Sequence, residues 1–598
     1  MMSSSVLRRF CRSVVTGARA HWGLSHVNRF TVREHNCGDI TEKMIGKRVT
    51  VYGWIKSRRK EGKKIGFIVL SDAYGSVQLL SVNRNWEVPN RGSVVMATGL
   101  VQKRPEKDVN PQMASGSVEI LLEEINLLGS NENISSLEWS DDEPLRMRNR
   151  YVDLRTEEMQ RNLRLKSLLL TSVRNFLVQE GFVEIETPVL QKITPGGAHE
   201  FVVPTQIEDH FYCLGQSPQL YKQLLMVGGC DRYFQIAKCF RNETARADRQ
   251  PEFQQIDVEL SFTTRDGILD LIENLIVSVW PAFLEKVSIP FPRIKYKEAM
   301  TLYGSDKPDL RSKIELKTVE IQSEGQKNTS LIALVIPNGA NEEHASKLKE
   351  LGSKAATKVY YKGNLIGSCY NDDSLSFEME PSFMHSSQVK DHLCRYLQLN
   401  QGDYLFLAHG DDKLQRKAMG TLRNMCVNYM VESKMIQSEF GIHNFIWVVD
   451  FPMFLINETT GQIECGHHPF SAPKPEHLDK VYSAPLEVES DQFDLVLNGE
   501  EIGGGSMRIN CPKLQKYVFE NVLKADSNSM EFFIRALSSG CPPHGGLAIG
   551  VDRLLKIISK ADSIRDFIAF PKSMNCRDHL SSAPNPLTDE LKSTYHLK

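Results

Sequence analysis

Gly545-Gly546-Leu547-Ala548-Ile549-Gly550-Val551-Asp552-Arg553-Leu554-Leu555 is a run of small residues that delivers an arginine to the start of an apolar helix. No Gly-Lys-Ser/Thr follows, so it is not a Walker loop, and its glycines lack the spacing of a dinucleotide fingerprint. An arginine so placed can stack on a purine, with Phe253 available for the opposite face. Alternatively, the glycines serve only close packing. Two further stretches are read with it. Phe240-Arg241-Asn242-Glu243 is followed by a polar loop with Arg246, Asp248 and Arg249, then by Gln250-Pro251-Glu252-Phe253-Gln254-Gln255-Ile256-Asp257. A strand, a charged loop and a return strand hold Arg241 rigidly. Its planar fork can clasp phosphate oxygens and stay charged while a phosphoryl centre gathers negative charge. In isolation, a surface ion pair explains the same residues. Glu500-Glu501-Ile502-Gly503-Gly504-Gly505-Ser506-Met507-Arg508 follows Asp494, which the pattern places on an alternating strand. Acids before a glycine turn suit magnesium held through carboxylates and waters, although such acids are also common without a metal.

Outward from these stretches, 598 residues correspond to about four domains at ~150 residues each. With 41% hydrophobic and 24% charged residues the composition is globular. No uncharged apolar stretch reaches the ~18 residues a membrane helix needs. Twelve cysteines without a Cys-x-x-Cys pair indicate neither a disulfide framework nor a zinc site, and fit a reducing compartment. Residues 1–33 hold six arginines (Arg8, Arg9, Arg12, Arg19, Arg29, Arg33), five serines and no acid, the make-up of an organelle transit peptide or, more blandly, a basic tail. Without these six charges the net charge of −2 becomes −8, so a nucleic-acid partner has to be met by a local patch.

That patch lies in 41–129, where Lys and Arg outnumber Asp and Glu by 14 to 9. Apolar runs at Val49–Ile55, Ile65–Leu70, Val77–Val82, Val94–Val101 and Val118–Leu122 predict five strands of an OB barrel. The stretch Lys56 to Lys64, read as a loop, supplies six cations, Arg58 and Arg59 among them, against Glu61. Phe67 and Gln78 offer a stacking platform and a base-reading amide, or are ordinary sheet residues. A polar linker follows, and Leu165, Leu168, Leu169, Val173, Phe176 and Leu177 then predict a helix stopped at Gly181. Residues 293–440 change character and suggest an insertion.

The three stretches occur in one chain and in this order. With Gly181 to Pro188 as motif 1, they resemble the motifs of class II aminoacyl-tRNA synthetases, and the OB barrel narrows the likeness to those for aspartate, asparagine and lysine. Gln216-Ser217-Pro218-Gln219-Leu220-Tyr221-Lys222-Gln223-Leu224, Arg246-Ala247-Asp248-Arg249-Gln250-Pro251-Glu252-Phe253, Tyr303-Gly304-Ser305-Asp306-Lys307-Pro308-Asp309-Leu310-Arg311 and Ile564-Arg565-Asp566-Phe567-Ile568-Ala569-Phe570-Pro571-Lys572 are similar to the bacterial-type aspartyl-tRNA synthetases. The transit-like start points to their mitochondrial members. The likeness covers residues 37–590. It implies an α+β chain: leader 1–36, OB-fold anticodon-binding domain 37–130, linker 131–150, catalytic parts 151–292 and 441–598 around an antiparallel sheet flanked by helices, and an inserted α/β domain at 293–440.

The resemblance also implies a reaction, in which ATP and L-aspartate give aspartyl-adenylate and the aspartyl group passes to the 3′ end of tRNA(Asp). Arg241 and Arg553 would be the catalytic cations. Asn242, Glu243, Gln250, Phe253, Glu501, Gly550, Val551 and Asp552 would join them around ATP, and Asp494 and Glu501 would hold Mg2+. Lys222 and Arg508 match the positions holding the substrate's side-chain carboxylate, while Ser217, Gln219, Asp257, His467 and His468 surround the rest of the aspartate with Arg241. Asparagine would leave buried positive charge unpaired, at about 2 to 5 kcal/mol. Arg58, Arg59, Phe67, Gln78, Arg246 and Arg249 would meet tRNA. A homodimer through motif 1, the mitochondrial matrix and no membrane partner complete the implied picture. Two departures stand out: Asn242 replaces a common aspartate, and Gly196 a glutamate. Charging of both aspartate and asparagine tRNAs, or a retired nucleic-acid-binding paralogue, are the competing readings.

Overall fold

The computed structural model describes residues 30–61, 64–82, 89–132, 142–194, 199–281, 284–321, 329–359, 363–371, 374–375, 386–410, 412–436, 443–457, 460–525 and 527–597. The leader up to residue 29 and Gly196 lie outside them. The chain forms two compact units. One holds the chain up to Thr171 with Glu243–Pro251 and Ile558–Lys598, and the other holds Ser172–Asn242 and Glu252–Ile557.

In the first unit, β1 (Arg48–Glu61), β2 (Ile65–Asp72), β3 (Gly75–Val82), β4 (Val94–Lys103) and β5 (Val118–Gly129) close a barrel in the order β1-β2-β3-β5-β4. Val49, Val51, Ile55, Ile68, Leu70, Val77, Leu79 and Ile120 fill it, as a period of two requires. The cationic stretch expected as a loop is mostly strand. After a bulge between Ile55 and Ser57, β1 stays paired with β2 as far as Glu61 opposite Ile65. Ladder bonds use the backbone alone, so exposed cations do not end a strand.

Helix α1 (Glu157–Gln179) contains the predicted apolar run. Gly181 at φ +80° ends it: its N–H bonds the Val178 carbonyl and that of Phe182 bonds Leu177, the paired bonds of a Schellman cap.

The second unit is built on an eight-stranded sheet of β6 (Val183–Glu184), β7 (Arg232–Phe240), β8 (Glu252–Ser261), β9 (Arg293–Lys295), β10 (Phe445–Val449), β11 (Gln492–Leu497), β12 (Glu500–Met507) and β13 (His544–Gly550). Their order is β9-β10-β11-β12-β13-β8-β7-β6. The six central strands pair antiparallel, and β6 and β9 join parallel at the two edges. Strand β11 is buried on both faces, so the alternation expected around Asp494 is absent, because layers cover both sides of the sheet centre. Gly503, Gly504 and Gly505 do not form a turn either. They lie inside β12, where a Cβ would sit 2.7 Å from the Ala548 oxygen at 503 and 2.2 Å from the Gly546 oxygen at 505.

The insertion has its own five-stranded sheet, made of Lys317–Ile321, Thr329–Ile336, Tyr404–His409, Asn364–Asn371 and Ser374–Leu375 in that order. All of its pairs are antiparallel. The insertion expected as an α/β domain thus combines helices with an antiparallel sheet. Its helix α3 (Asp412–Glu432) packs Ala418, Met419, Leu422 and Cys426 into the insertion's core. Helix α2 (Gln219–Val227) precedes β7, and α4 (Val551–Ser559) follows β13 directly.

Candidate active site

Strand register builds the site floor. Gln235, Asp257, Ala548, Gly504 and Asp494 pair in one row across β7, β8, β13, β12 and β11. Paired residues share a face, so two carboxylates stand on the same side with only alanine and glycine between them. The next row is Glu259, Gly546, Ser506 and Gln492. Small residues across the strands between the acids leave room above the sheet for a ligand.

At one end of this floor, Lys222 Nζ on α2 lies 3.2 Å from Asp257 Oδ1 and 3.1 Å from Glu259 Oε2. Arg508 donates from Nε to Glu259 Oε1 at 2.8 Å and from Nη2 to Glu259 Oε2 at 3.1 Å. Both expected substrate cations thus meet on one carboxylate, which the sequence reading did not single out. Its signal was present, since Glu259 follows Asp257 by two on a strand and must share its face. Burial opposes ionisation of Glu259, but Arg508 and Lys222 together hold it down at about 2. Burial pushes Asp257 above the usual carboxylate range against the pull of Lys222. Its Oδ2 is buried and has no hydrogen-bond partner, an acceptor suited to an ammonium. Lys222 and Arg508 thus balance Asp257 and Glu259, and Arg241, which the resemblance assigns to the same substrate, would add one formal positive charge. Aspartate carries net −1 and asparagine none.

The remaining Arg508 nitrogen, Nη1, donates to Ser506 Oγ at 2.6 Å and meets His468 Nε2 at 2.9 Å. His468 must accept there, so its imidazole is neutral; burial and then the neighbouring His467, Arg508 and Lys222 push it well below the usual histidine range. His467, 4.7 Å away ring to ring, is lowered to about 4, by burial first, against the opposing pull of Glu501. Gln219 donates to Gln223 Oε1 at 2.9 Å, and Gln223 Nε2 meets His544 Nε2 at 3.1 Å. His544 Nδ1 meets the Pro542 carbonyl at 2.8 Å, so it carries the ring proton and Nε2 accepts. This fixes which way both amides face. Ser217 is half-buried just before α2.

At the other end, Asp494 and Glu501 converge over Gly504. A Cβ there would lie 2.7 Å from Asp494 Oδ1 and 3.8 Å from Glu501 Oε1. Burial, then Glu501, pushes Asp494 well above its ordinary value. Burial likewise opposes ionisation of Glu501, yet Lys307, 2.8 Å away, holds it at about 2. Paired acid oxygens over a glycine fit a hard divalent cation. Among the described residues, no group of three or more His, Cys, Asp or Glu side chains has metal-site geometry. Arg553, in the first turn of α4, donates to the Glu501 carbonyl at 2.6 Å, with Gly550, Val551 and Asp552 leading into it. Arg241 lies over the Phe253 ring, 5.1 Å from its centroid. Asn242 donates its N–H to the His199 carbonyl.

The loop after Asn242 belongs to the first unit. There Arg249 pairs with Glu243 at 3.0 Å, and the Gln250 amide exchanges two bonds with the Lys572 backbone. Arg565 donates to the Arg246 carbonyl at 3.2 Å. On the outer face of the barrel, Arg59 stacks over Phe67 at 5.1 Å, and Arg58 bonds Pro89 and Asn90. Gln78 and Gln102 each donate to Glu119 at 2.8 Å, which adds a carboxylate to the expected base-reading face.

An antiparallel sheet that carries two buried carboxylates in one row, with Lys222 and Arg508 paired at one end, defines a class, and sequence comparison agrees. Residues 142–574 match the family model described as tRNA synthetases class II (D, K and N), and residues 49–128 match the OB-fold nucleic acid binding domain. The chain belongs to the class II tRNA synthetases of this D, K and N group. It is 39% identical over 604 residues to aspartate–tRNA ligase, mitochondrial, of Bos taurus, covering 96% of this chain and 91% of the relative. It is 38% identical to aspartate–tRNA(Asp/Asn) ligase of Thermosynechococcus vestitus, covering 95% and 97%. Among solved structures, a putative aspartyl-tRNA synthetase of Leishmania major Friedlin shares the fold at TM-score 0.57 and 16% identity, over 94% of this chain and 96% of that one.

Proposed function

We propose that this chain is an ATP-dependent aspartate–tRNA ligase of mitochondria, acting in the matrix. Class II aspartate–tRNA ligases use ATP as a substrate and Mg2+ as a cofactor. The observation that carries the reading is the buried set of Lys222, Arg508, Glu259 and Asp257, which together with Arg241 retains one positive charge for a substrate of net −1.

Lys222 and Arg508 receive the side-chain carboxylate, which takes over the Arg508 Nη1 hydrogens held by Ser506 Oγ and His468 Nε2 in the free chain, while Asp257 Oδ2 and Gln219 receive the ammonium. The α-carboxylate oxygen attacks the α-phosphorus of ATP as the bond to the bridging oxygen breaks, and pyrophosphate leaves. Arg241 neutralises charge on the phosphoryl oxygens. Phe253 and Arg553 bracket adenine. Asp494 and Glu501 would hold magnesium, which would supply positive charge to offset that of the pyrophosphate oxygens. The 3′-hydroxyl of tRNA then attacks the acyl carbon, its proton is lost, and AMP departs. No covalent enzyme intermediate is needed.

The barrel face of Arg59, Phe67, Gln78 and Glu119 reads the anticodon by stacking and hydrogen bonding. Val183, Leu190, Ile193, Val202 and Phe211 are about half-exposed apolar residues around motif 1, and a second copy of this chain covers them in a homodimer. Purified protein with ATP, labelled aspartate and each tRNA separately tests the function. Charging of tRNA(Asp) is expected, and absence of adenylate formation would sink the enzyme reading. The Asp/Asn name of the Thermosynechococcus relative favours a second reading, charging of tRNA(Asn) as well, which the same assay decides.

A further inference from the structure

Lys307 lies in Tyr303-Gly304-Ser305-Asp306-Lys307-Pro308-Asp309-Leu310-Arg311, at the start of the insertion, and no step above uses it. Its ammonium nevertheless rests 2.8 Å from Glu501 Oε2. The insertion fixes the backbone that carries it. Asn424 on α3 donates to the Lys307 carbonyl at 2.9 Å. The neighbouring Arg423, fully buried, donates to the Ile314 and Ser312 carbonyls at 2.6 and 2.8 Å. On the other side, buried Asp309 packs under the turn that leads into Glu500 and Glu501, its Cβ 3.2 Å from where a Cβ on Gly499 would stand. The segment is a strap pinned between an insertion helix and the turn before β12.

We propose that Lys307 is the resident counter-ion of the Asp494–Glu501 pair, presented by the insertion, and that a divalent cation must displace its ammonium from Glu501. This deepens the reading of that pair as the magnesium site and rests on it. Two cations on one carboxylate repel each other, most strongly where burial limits screening. The lysine therefore lowers the affinity of the pair for a lone metal ion, and a metal that arrives with a nucleotide brings phosphate oxygens to receive the released ammonium. The insertion, whose role the sequence left open, thereby acts on the catalytic acids through one side chain.

The experiment titrates Mn2+ into the nucleotide-free full chain at neutral pH and follows free Mn2+ by electron paramagnetic resonance. Lys307→Met should bind Mn2+ about tenfold more tightly than the parent. Lys307→Arg, which keeps the charge, should stay near the parent, and Asn424→Ala should fall between. A loss of fold cannot produce a gain in affinity, so the expected result is not mimicked by damage. If Glu501→Gln abolishes binding but Lys307→Met leaves it unchanged or weaker, the counter-ion proposal is overturned and the metal reading stands. If binding is indifferent to Glu501, both fall.

Discussion

Glu259 pairs with Lys222 and accepts two hydrogen bonds from Arg508, which makes one acid a common anchor of both cations proposed for the substrate. Replacing it with glutamine leaves one side of that network buried and uncompensated, and breaking such a set costs about 3 to 5 kcal/mol. Glu259→Gln should therefore lower the denaturation midpoint and reduce kcat/KM for aspartate by more than about tenfold, with a smaller change in KM for ATP. The neighbouring histidines set a pH dependence. His467 is lowered from 6.5 to about 4, so between these values the unfolded chain takes up a proton that the folded chain refuses. Its contribution to stability is complete above pH 6.5 and is lost as pH falls towards 4. Glu259 acts in the same direction lower down, from 4.5 to about 2. Denaturant titrations at pH 7, 6 and 5 should show falling stability, and His467→Gln should flatten the slope by up to about 1.4 kcal/mol per pH unit.

At the scale of elements, the site depends on which strands are neighbours. β11 and β12 are close in sequence to each other but far from β7 and β8, and β13 joins the two halves. That order brings Asp257 and Asp494 into one row, with Gly504 and Ala548 between them. Gly504→Ala places a methyl carbon 2.7 Å from Asp494 Oδ1. It should raise the Mg2+ concentration needed for half-maximal adenylate formation several-fold, with a modest effect on thermal stability. Gly505→Ala, aimed at the Gly546 backbone oxygen, should do the reverse. The strand–loop–strand around Arg241, the helix begun beside Arg553 and the capping glycine at 181 were all legible, because each rests on local periodicity or a single backbone preference. The glycines of β12 misled because a turn and a close strand approach demand the same residue. Glu259 was legible from its place two residues after Asp257 on one strand but went unused, whereas the Gln223–His544 and Lys307–Glu501 contacts join residues 321 and 194 positions apart, a distance over which no short pattern speaks.

For the whole molecule, the proposal gives recognition of tRNA to the barrel and activation of the amino acid to the eight-stranded sheet, so the two should separate experimentally. Phe67→Ala removes a stacking platform worth about 1 to 3 kcal/mol. It should reduce kcat/KM for tRNA by about fivefold to a hundredfold or more while leaving aspartate-dependent ATP–pyrophosphate exchange unchanged. Net charge at the buried site is proposed to select the amino acid, and ATP–pyrophosphate exchange by the purified full chain with aspartate or asparagine as the only amino acid measures that selection. Aspartate should support exchange at least about thirtyfold better, in line with a penalty of 2 kcal/mol or more for unpaired buried charge. Equal rates with the two amino acids, or a preference for asparagine, would rule out selection by charge.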